Sequence, residues 1–209
     1  PTGRRANYEA LTVAYWEEEH IVREHIWTDT ITLQRQLGFF PAPTSSDPTS
    51  SLTLSEYSLP LLTNPGEDVS ADNKRQHQES ESAFNNGHID TESFRFSPNI
   101  TVFTACEDGP DGLSLSQFLG LVQQLGSSFS NVNLSPHTTI AAGDWTASVS
   151  RISGTLSGTL RVPDYFSPVP IDPTGKSFEA WFSTIARWQD GQITYLKVMT
   201  DPVAILSQV

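Results

Sequence analysis

The sequence predicts an α+β fold: a curved, mostly antiparallel sheet covered on one face by helices, with part of a second such unit at the N-terminal end. Three observations carry this. First, the chain repeats itself. Slid by 172 positions, Pro1-Thr2-Gly3 falls on Pro173-Thr174-Gly175, Thr12 on Thr184, Ala14 on Ala186 and Trp16 on Trp188. Ile21 falls on Ile193, Thr28-Asp29 on Thr200-Asp201 and Gln36 on Gln208, which makes ten identities between Pro1 and Leu37. A repeat of this length signals two related units. Second, the last third of the chain alternates apolar and polar residues between turn signals, as half-buried antiparallel strands do. Third, Leu115, Phe118, Leu119, Val122 and Leu125 have helical spacing, so one helix has an apolar stripe to lay on that sheet.

Residues 1–40 read as the closing part of a first unit. A Pro-Thr-Gly turn opens it, and Tyr8, Ala10, Thr12, Ala14 and Trp16 share one strand face. Glu17-Glu18-Glu19 turns the chain into a second strand, His20 to Thr28. Asp29 then caps a short helix, because its carboxylate accepts from free amides of the first turn, and Leu37-Gly38 stops it. Residues 41–66 are rich in Pro, Ser and Thr and read as a linker; its Leu52, Leu54, Tyr57, Leu59, Leu61 and Leu62 suit contact with a surface.

The complete unit spans 67–209. Asp68 to Asn85 reads as a polar helix capped by Ser70 or Asp72 and stopped by Asn85-Asn86-Gly87. Phe94 to Phe103 is a turn and a strand. Ser114 or Ser116 caps the amphipathic helix. Asn133 to Ala141 is a strand, and Trp145 to Leu160 a longer one whose Gly154 and Gly158 predict a bulge or bend. A Pro-rich loop delivers the chain to Pro173. The last hairpin turns at Gln189-Asp190-Gly191, and Asp201-Pro202 starts a terminal helix. Helices over one face of such a sheet leave a pocket suited to an apolar ligand.

Composition narrows the partners. The formal net charge is −12, which argues against a nucleic-acid backbone as partner. The sequence has no apolar run near the ~20 residues a membrane helix needs. Cys106 is the single cysteine, so there is no internal disulfide, and with no activating neighbour it reads as inert. That usage leans towards a reducing, cytoplasmic setting, while the sequons at Asn99 and Asn133 point towards secretion. No Cys/His metal cluster, phosphate loop or nucleophile elbow occurs. The chain has no initiator Met and opens within a repeat, so it reads as a fragment or processed product.

Five segments, in order, carry a resemblance: Phe84-Asn85-Asn86-Gly87-His88-Ile89-Asp90, Ile140-Ala141-Ala142-Gly143-Asp144, Gly154-Thr155-Leu156-Ser157-Gly158, Pro173-Thr174-Gly175-Lys176 and Arg187-Trp188-Gln189-Asp190-Gly191-Gln192-Ile193. Over roughly 68–209 the chain resembles the SnoaL-like polyketide cyclases of the NTF2-like superfold, with residues 1–38 similar to the last third of a second such domain. The resemblance implies intramolecular aldol ring closure without metal or cofactor. It also implies an acidic general acid/base on the strand after the Pro-Thr-Gly turn. At that position this chain has Thr184, and the family's His in Gly-Thr-His-Thr-Gly is Leu156 here. Both departures remove groups that titrate near neutrality.

Candidate site residues follow from the strand faces. Thr184 stands on the predicted pocket face, to hold a ligand oxygen or simply to fill the strand interior. Phe178, Phe182 and Trp188 share that face, as pocket lining or as core. Trp181 and Ile185 alternate to the other face and suit a dimer or domain contact. Tyr165 and Asp164 overhang the mouth or form only a turn. His137 is a candidate replacement base or a surface histidine. His20 and His25 fall on opposite strand faces, which argues against a metal pair.

Two functions remain open. One is an enzyme that cyclises, isomerises or dehydrates a small hydrophobic polyketide- or terpenoid-like molecule; it requires a buried acid or histidine in the pocket. The other is a non-catalytic binding or assembly module of the same fold. Residues 1–38 cannot bury Leu11, Val13, Tyr15 and Trp27 as a lone hairpin. They call for a partner surface: an edge of the complete domain, a like chain, or a second polypeptide that completes the first unit.

Overall fold

The computed structural model describes residues 10–40, 67–104, 112–162 and 167–209, with 3, 4 and 6. The linker, Cys106, Asp164, Tyr165 and Tyr8 lie outside the described residues.

Five strands build the main sheet: β3 (Phe96–Thr104), β4 (Phe129–Ala142), β5 (Trp145–Leu156), β6 (Ser177–Gln189) and β7 (Gln192–Thr200). Their order is β3-β7-β6-β5-β4. The last four form the expected antiparallel meander, and β3 joins the far edge parallel to β7. Tight turns join β4 to β5 and β6 to β7, with positive φ at Gly143, Asp190 and Gly191 where reversal requires it, while residues 157–176 separate β5 from β6. Pairing in β4–β5 shifts register twice, at Ser130/Asn133 and Pro136/Thr138. Such shifts strengthen local twist and curl the sheet.

Helices α2 (Glu67–Asn85) and α3 (Leu115–Ser128) cover one face. Helix α3 starts at a capping box: the Ser114 hydroxyl accepts from the Gln117 amide and the Gln117 side chain accepts from the Ser114 amide. Its Leu115, Phe118 and Leu119 pack on Phe96, Ile100, Val102, Trp188 and Ile193, the main core. Helix α4 (Pro202–Leu206) closes the chain on its Asp201 cap.

Two strand boundaries differ from the sequence reading. Strand β4 begins at Phe129, directly after α3, rather than at Asn133. Strand β5 ends at Leu156 rather than Leu160, whose backbone instead bridges to Ile171. The β5–β6 register is continuous, but the Ser130/Asn133 shift of β4–β5 falls opposite Gly154, a bulge as expected of these glycines. They serve close approach: a Cβ at Gly154 would meet the Phe178 ring at 2.9 Å, and one at Gly158 would run into the Ser127 carbonyl.

The N-terminal hairpin, β1 (Ala10–Glu17) and β2 (His20–Thr28), forms a separate two-stranded sheet followed by α1 (Thr30–Leu37). It lies on the outer face of the main sheet, not on its edge. Leu11, Val13 and Trp27 pack against Val149 and Met199, with Ala147, Trp181 and Ile185 beside them. Around this contact sits an aromatic cluster: the His25 ring stacks on Trp27 at 5.8 Å and meets Trp181 edge-on at 5.1 Å. Arg151 caps Trp181 at 3.9 Å. Burial beside His137 and Arg23 pulls the His25 pKa below its ordinary value.

Candidate active site

The complete unit buries polar groups between α2 and the sheet. On α2, Asn73, His77 and Glu81 recur every four residues and so share one face. On β5, Thr146, Ser148 and Ser150 recur every second residue and face them. Thr184, on β6, pairs with Ser148. All seven are buried.

The hydrogen bonds of all but Asn73, with Trp188, form one directed chain. Trp188 Nε1 can only donate, and it donates to Thr146 Oγ1 at 2.8 Å. The Thr146 hydroxyl then gives its own hydrogen to His77 Nδ1, 2.7 Å away. From the other end, Ser148 and Ser150 donate to Glu81 Oε1 at 2.8 and 3.1 Å. Having given its hydrogen to Glu81, Ser148 accepts that of Thr184 at 2.9 Å. Thr184 therefore accepts from His77 Nε2–H at 3.0 Å. The network fixes His77 as the neutral Nε2–H tautomer. An imidazolium would leave the Thr146 hydrogen without its acceptor, and burial itself pushes the His77 pKa down to about 4. The 3.9 Å separation of His77 Nε2 and Glu81 Oε1 is thus no ion pair.

Glu81 is the unsatisfied member. Oε1 takes two hydroxyls, whereas Oε2 is buried with no hydrogen-bond partner. Burial raises the carboxyl pKa, partly offset by the Ser148 and Ser150 hydrogen bonds. An unpaired buried carboxyl oxygen is expensive.

The frame around the network is firm. Asn73 Nδ2 donates to the Gly143 carbonyl at 2.9 Å and Ser70 Oγ accepts from the Gly143 amide at 2.8 Å, tying α2 to the β4–β5 turn. Asn85 brackets Leu134, with its amide and carbonyl each at 2.7 Å from the backbone. An open groove borders the Trp188 end, lined by Asp72, Asn73, Gln76, Asp144 and Asp190.

The sequence-derived candidates fall unevenly. Thr184 sits inside the network. Trp188 is buried in the core and anchors the network through its indole N–H. Phe178 is buried against Phe129, at 5.2 Å between ring centroids, and Phe182 is half-buried on the same strand. His137 lies on the outer face, 5.9 Å from the His25 ring and 5.7 Å from Trp181, and does not join Thr184. Asp144 accepts from Arg187 Nε at 2.9 Å beside its turn. Among the described residues, no cluster of three or more His, Cys, Asp or Glu is arranged to hold a metal ion.

His77, Glu81, Thr146, Ser148 and Ser150 escaped the sequence reading. The signal was present as two facing polar periodicities, four on the helix and two on the strand.

Comparison with known proteins places the fold. The family model for SnoaL-like polyketide cyclases matches residues 75–209, and the chain belongs to that family. Among solved structures, AclR from Streptomyces galilaeus, a candidate hydroxylase, is 18% identical with a TM-score of 0.56, covering 66% of this chain and 95% of its own. IdmH from Streptomyces antibioticus, a candidate polyketide cyclase, is 23% identical with a TM-score of 0.53, over 65% and 96%. A SnoaL-like protein from Jannaschia sp. CCS1 is 15% identical with a TM-score of 0.56, over 70% and 97%. At these identities the likeness is one of fold. No curated protein matches the chain.

Proposed function

We propose that the complete unit is a cofactor-independent acid–base catalyst acting on a small, largely apolar carbonyl compound of the polyketide or terpenoid kind. In this reading, Glu81 supplies the carboxyl that Thr184 lacks. The observation that carries it is the buried, unpartnered Glu81 Oε2, one hydroxyl removed from Thr184 through Ser148. In this reading the acid stands on the helix instead of the strand, at the Thr184 end of the polar network.

The chemistry balances without a co-reactant. Ionised, Glu81 Oε2 removes a proton from the carbon beside a carbonyl. The enolate closes on a second carbonyl of the same molecule, forming the C–C bond. Glu81 then returns the proton to the resulting alkoxide. A carboxyl whose pKa is raised towards neutrality serves both steps. His77, neutral, is a positioning residue: it holds the Thr184 hydroxyl and, through it, Ser148.

The test uses an aryl 1,3-diketone probe in deuterated water. Wild-type protein should exchange the carbon-bound protons between the carbonyls faster than buffer does. Glu81→Gln should lose that gain by roughly 100-fold or more, the scale of one acid–base group. Equal exchange by both proteins would sink the assignment. No exchange by wild type, with saturable binding of the probe, would leave a binding module of the same fold.

A further inference from the structure

The hairpin that packs on the back of the main sheet leaves its other face bare. Trp16 is 62% exposed, Ile21 48% and Ile26 59%, and Thr12 beside Ile26 is exposed as well. They share one face in two groups: Trp16 pairs with Ile21 and Ile26 with Thr12, with the Ala14–Glu24 pair between them. A face of this kind needs an occupant.

The chain itself holds a template for what covers such a face. Offset by 172 positions, the pairing of β1 with β2 reproduces that of β6 with β7: Thr12↔Ile26 and Thr184↔Val198, Ala14↔Glu24 and Ala186↔Leu196, Trp16↔Ile21 and Trp188↔Ile193. The register shift falls at the same step, Tyr15/Trp16 and Arg187/Trp188. Both turns take two residues of positive φ, and Asp29 and Asp201 cap the following helices in the same way. Position for position, however, Trp188 is 2% and Ile193 4% exposed. They are covered by Phe96, Ile100, Val102 and the apolar side of α3. Edges match as well as faces. Strand β6 bonds to β5 on its far side and β7 to β3, whereas among the described residues β1 and β2 bond only to each other.

We propose that the outward face and free edges of the β1–β2 hairpin are a docking surface for a polypeptide carrying the front half of a SnoaL-like unit: two helices and the counterparts of β3, β4 and β5. Trp16 would enter that partner's core as Trp188 enters its own, and the partner's strands would extend the hairpin on both sides. The front half contained in residues 67–176 is already bonded to β6 and β7, so the occupant is a second such piece. The hairpin's inner face and the outer face of β5–β7 would then join two sheets back to back, one per unit.

Because Asp172 leads into Pro173 where the repeat begins again at Pro1, residues 67–172 can be fused in register ahead of Pro1 of the full chain. The fusion supplies a front half of known sequence as the probe. Hydrogen–deuterium exchange of the Ala10–Thr28 amides is then compared with the unfused chain. The expected result is slowing by on the order of 100-fold, as open edges become ladder, and its loss in the fusion carrying Trp16→Ser with Ile26→Ser. Protection of the β5–β7 amides shows in the same spectra that the native unit is folded. Unchanged exchange in β1–β2, whether the added piece folds elsewhere or not at all, would overturn the proposal. So would a concentration-dependent dimer of the unfused chain abolished by the same double substitution, since the face would then serve a second copy.

Discussion

At Glu81 the structure sets stability against chemistry. Burial raises its pKa, so above the unfolded value of 4.5 the folded chain keeps a proton that the unfolded chain releases. Stability contributed by Glu81 is therefore full at low pH and falls as pH rises. Glu81→Gln removes that loss, and the variant should be more stable than wild type at pH 7, by on the order of 1 kcal/mol. The advantage should shrink at pH 4; thermal melts at both values check the sign. A variant less stable at pH 7 would mean that the carboxylate is structurally needed. His77 runs the opposite way. Its pKa falls from 6.5 to about 4, so its contribution is present above 6.5 and is lost as pH drops towards 4. That component is worth roughly 3 kcal/mol, and His77→Gln should remove it from a plot of urea midpoint against pH. The sequence hid both residues for a physical reason. A site-facing stripe is normally found by contrast with the opposite face, but α2 is polar on all sides, so Asn73, His77 and Glu81 do not stand out. Thr184 was legible because the resemblance puts the family's acid at its position, on the strand after the Pro-Thr-Gly turn.

At the scale of elements, turns and caps were easier to read than strand ends. The terminal hairpin, its Asp190-Gly191 turn and the Asp201-Pro202 helix start follow from local chemistry that acts within a few residues. The boundaries of β4 and β5 depend on where α3 meets the sheet, which is a tertiary matter. Gly158 marks that meeting. Its Cβ position is filled by the Ser127 carbonyl and Ser128 Cα, both backbone, so neither can swing away. Gly158→Ala should destabilise by about 1–3 kcal/mol through overpacking. Gly154→Ala faces the edge of the Phe178 ring instead and should cost less, because a side chain can yield. Urea midpoints for the two variants test the ranking; equal costs would mean that the α3–β4 junction shifts as freely as a phenyl ring.

The molecule as a whole is two sheets held back to back by a compact apolar contact. The sequence showed that residues 1–38 required a partner surface and that Trp181 and Ile185 offered one. It could not say that the two would meet, because a strand face carries no address for its partner. What selects the pairing is the fit of Leu11, Val13 and Trp27 over Val149 and Met199, all five buried. That contact has no hydrogen-bonded ladder to the main sheet to fall back on: β1 and β2 pair only with each other among the described residues. Docking therefore rests on side-chain packing, and one charge at its centre should undo it. Leu11→Asp puts a carboxylate among apolar side chains, a cost of several kcal/mol unless the contact opens. An isolated two-stranded hairpin is marginal in water, so opening should unfold β1 and β2 together. Amide exchange across Ala10–Thr28 should become fast, while β5, β6 and β7 stay protected by their own core. The newly bared Trp181, Ile185 and Met199 should make the variant self-associate, which sedimentation velocity would record as a rise in mass with concentration. If the hairpin amides kept their protection in Leu11→Asp, the hairpin would be held by something other than this contact.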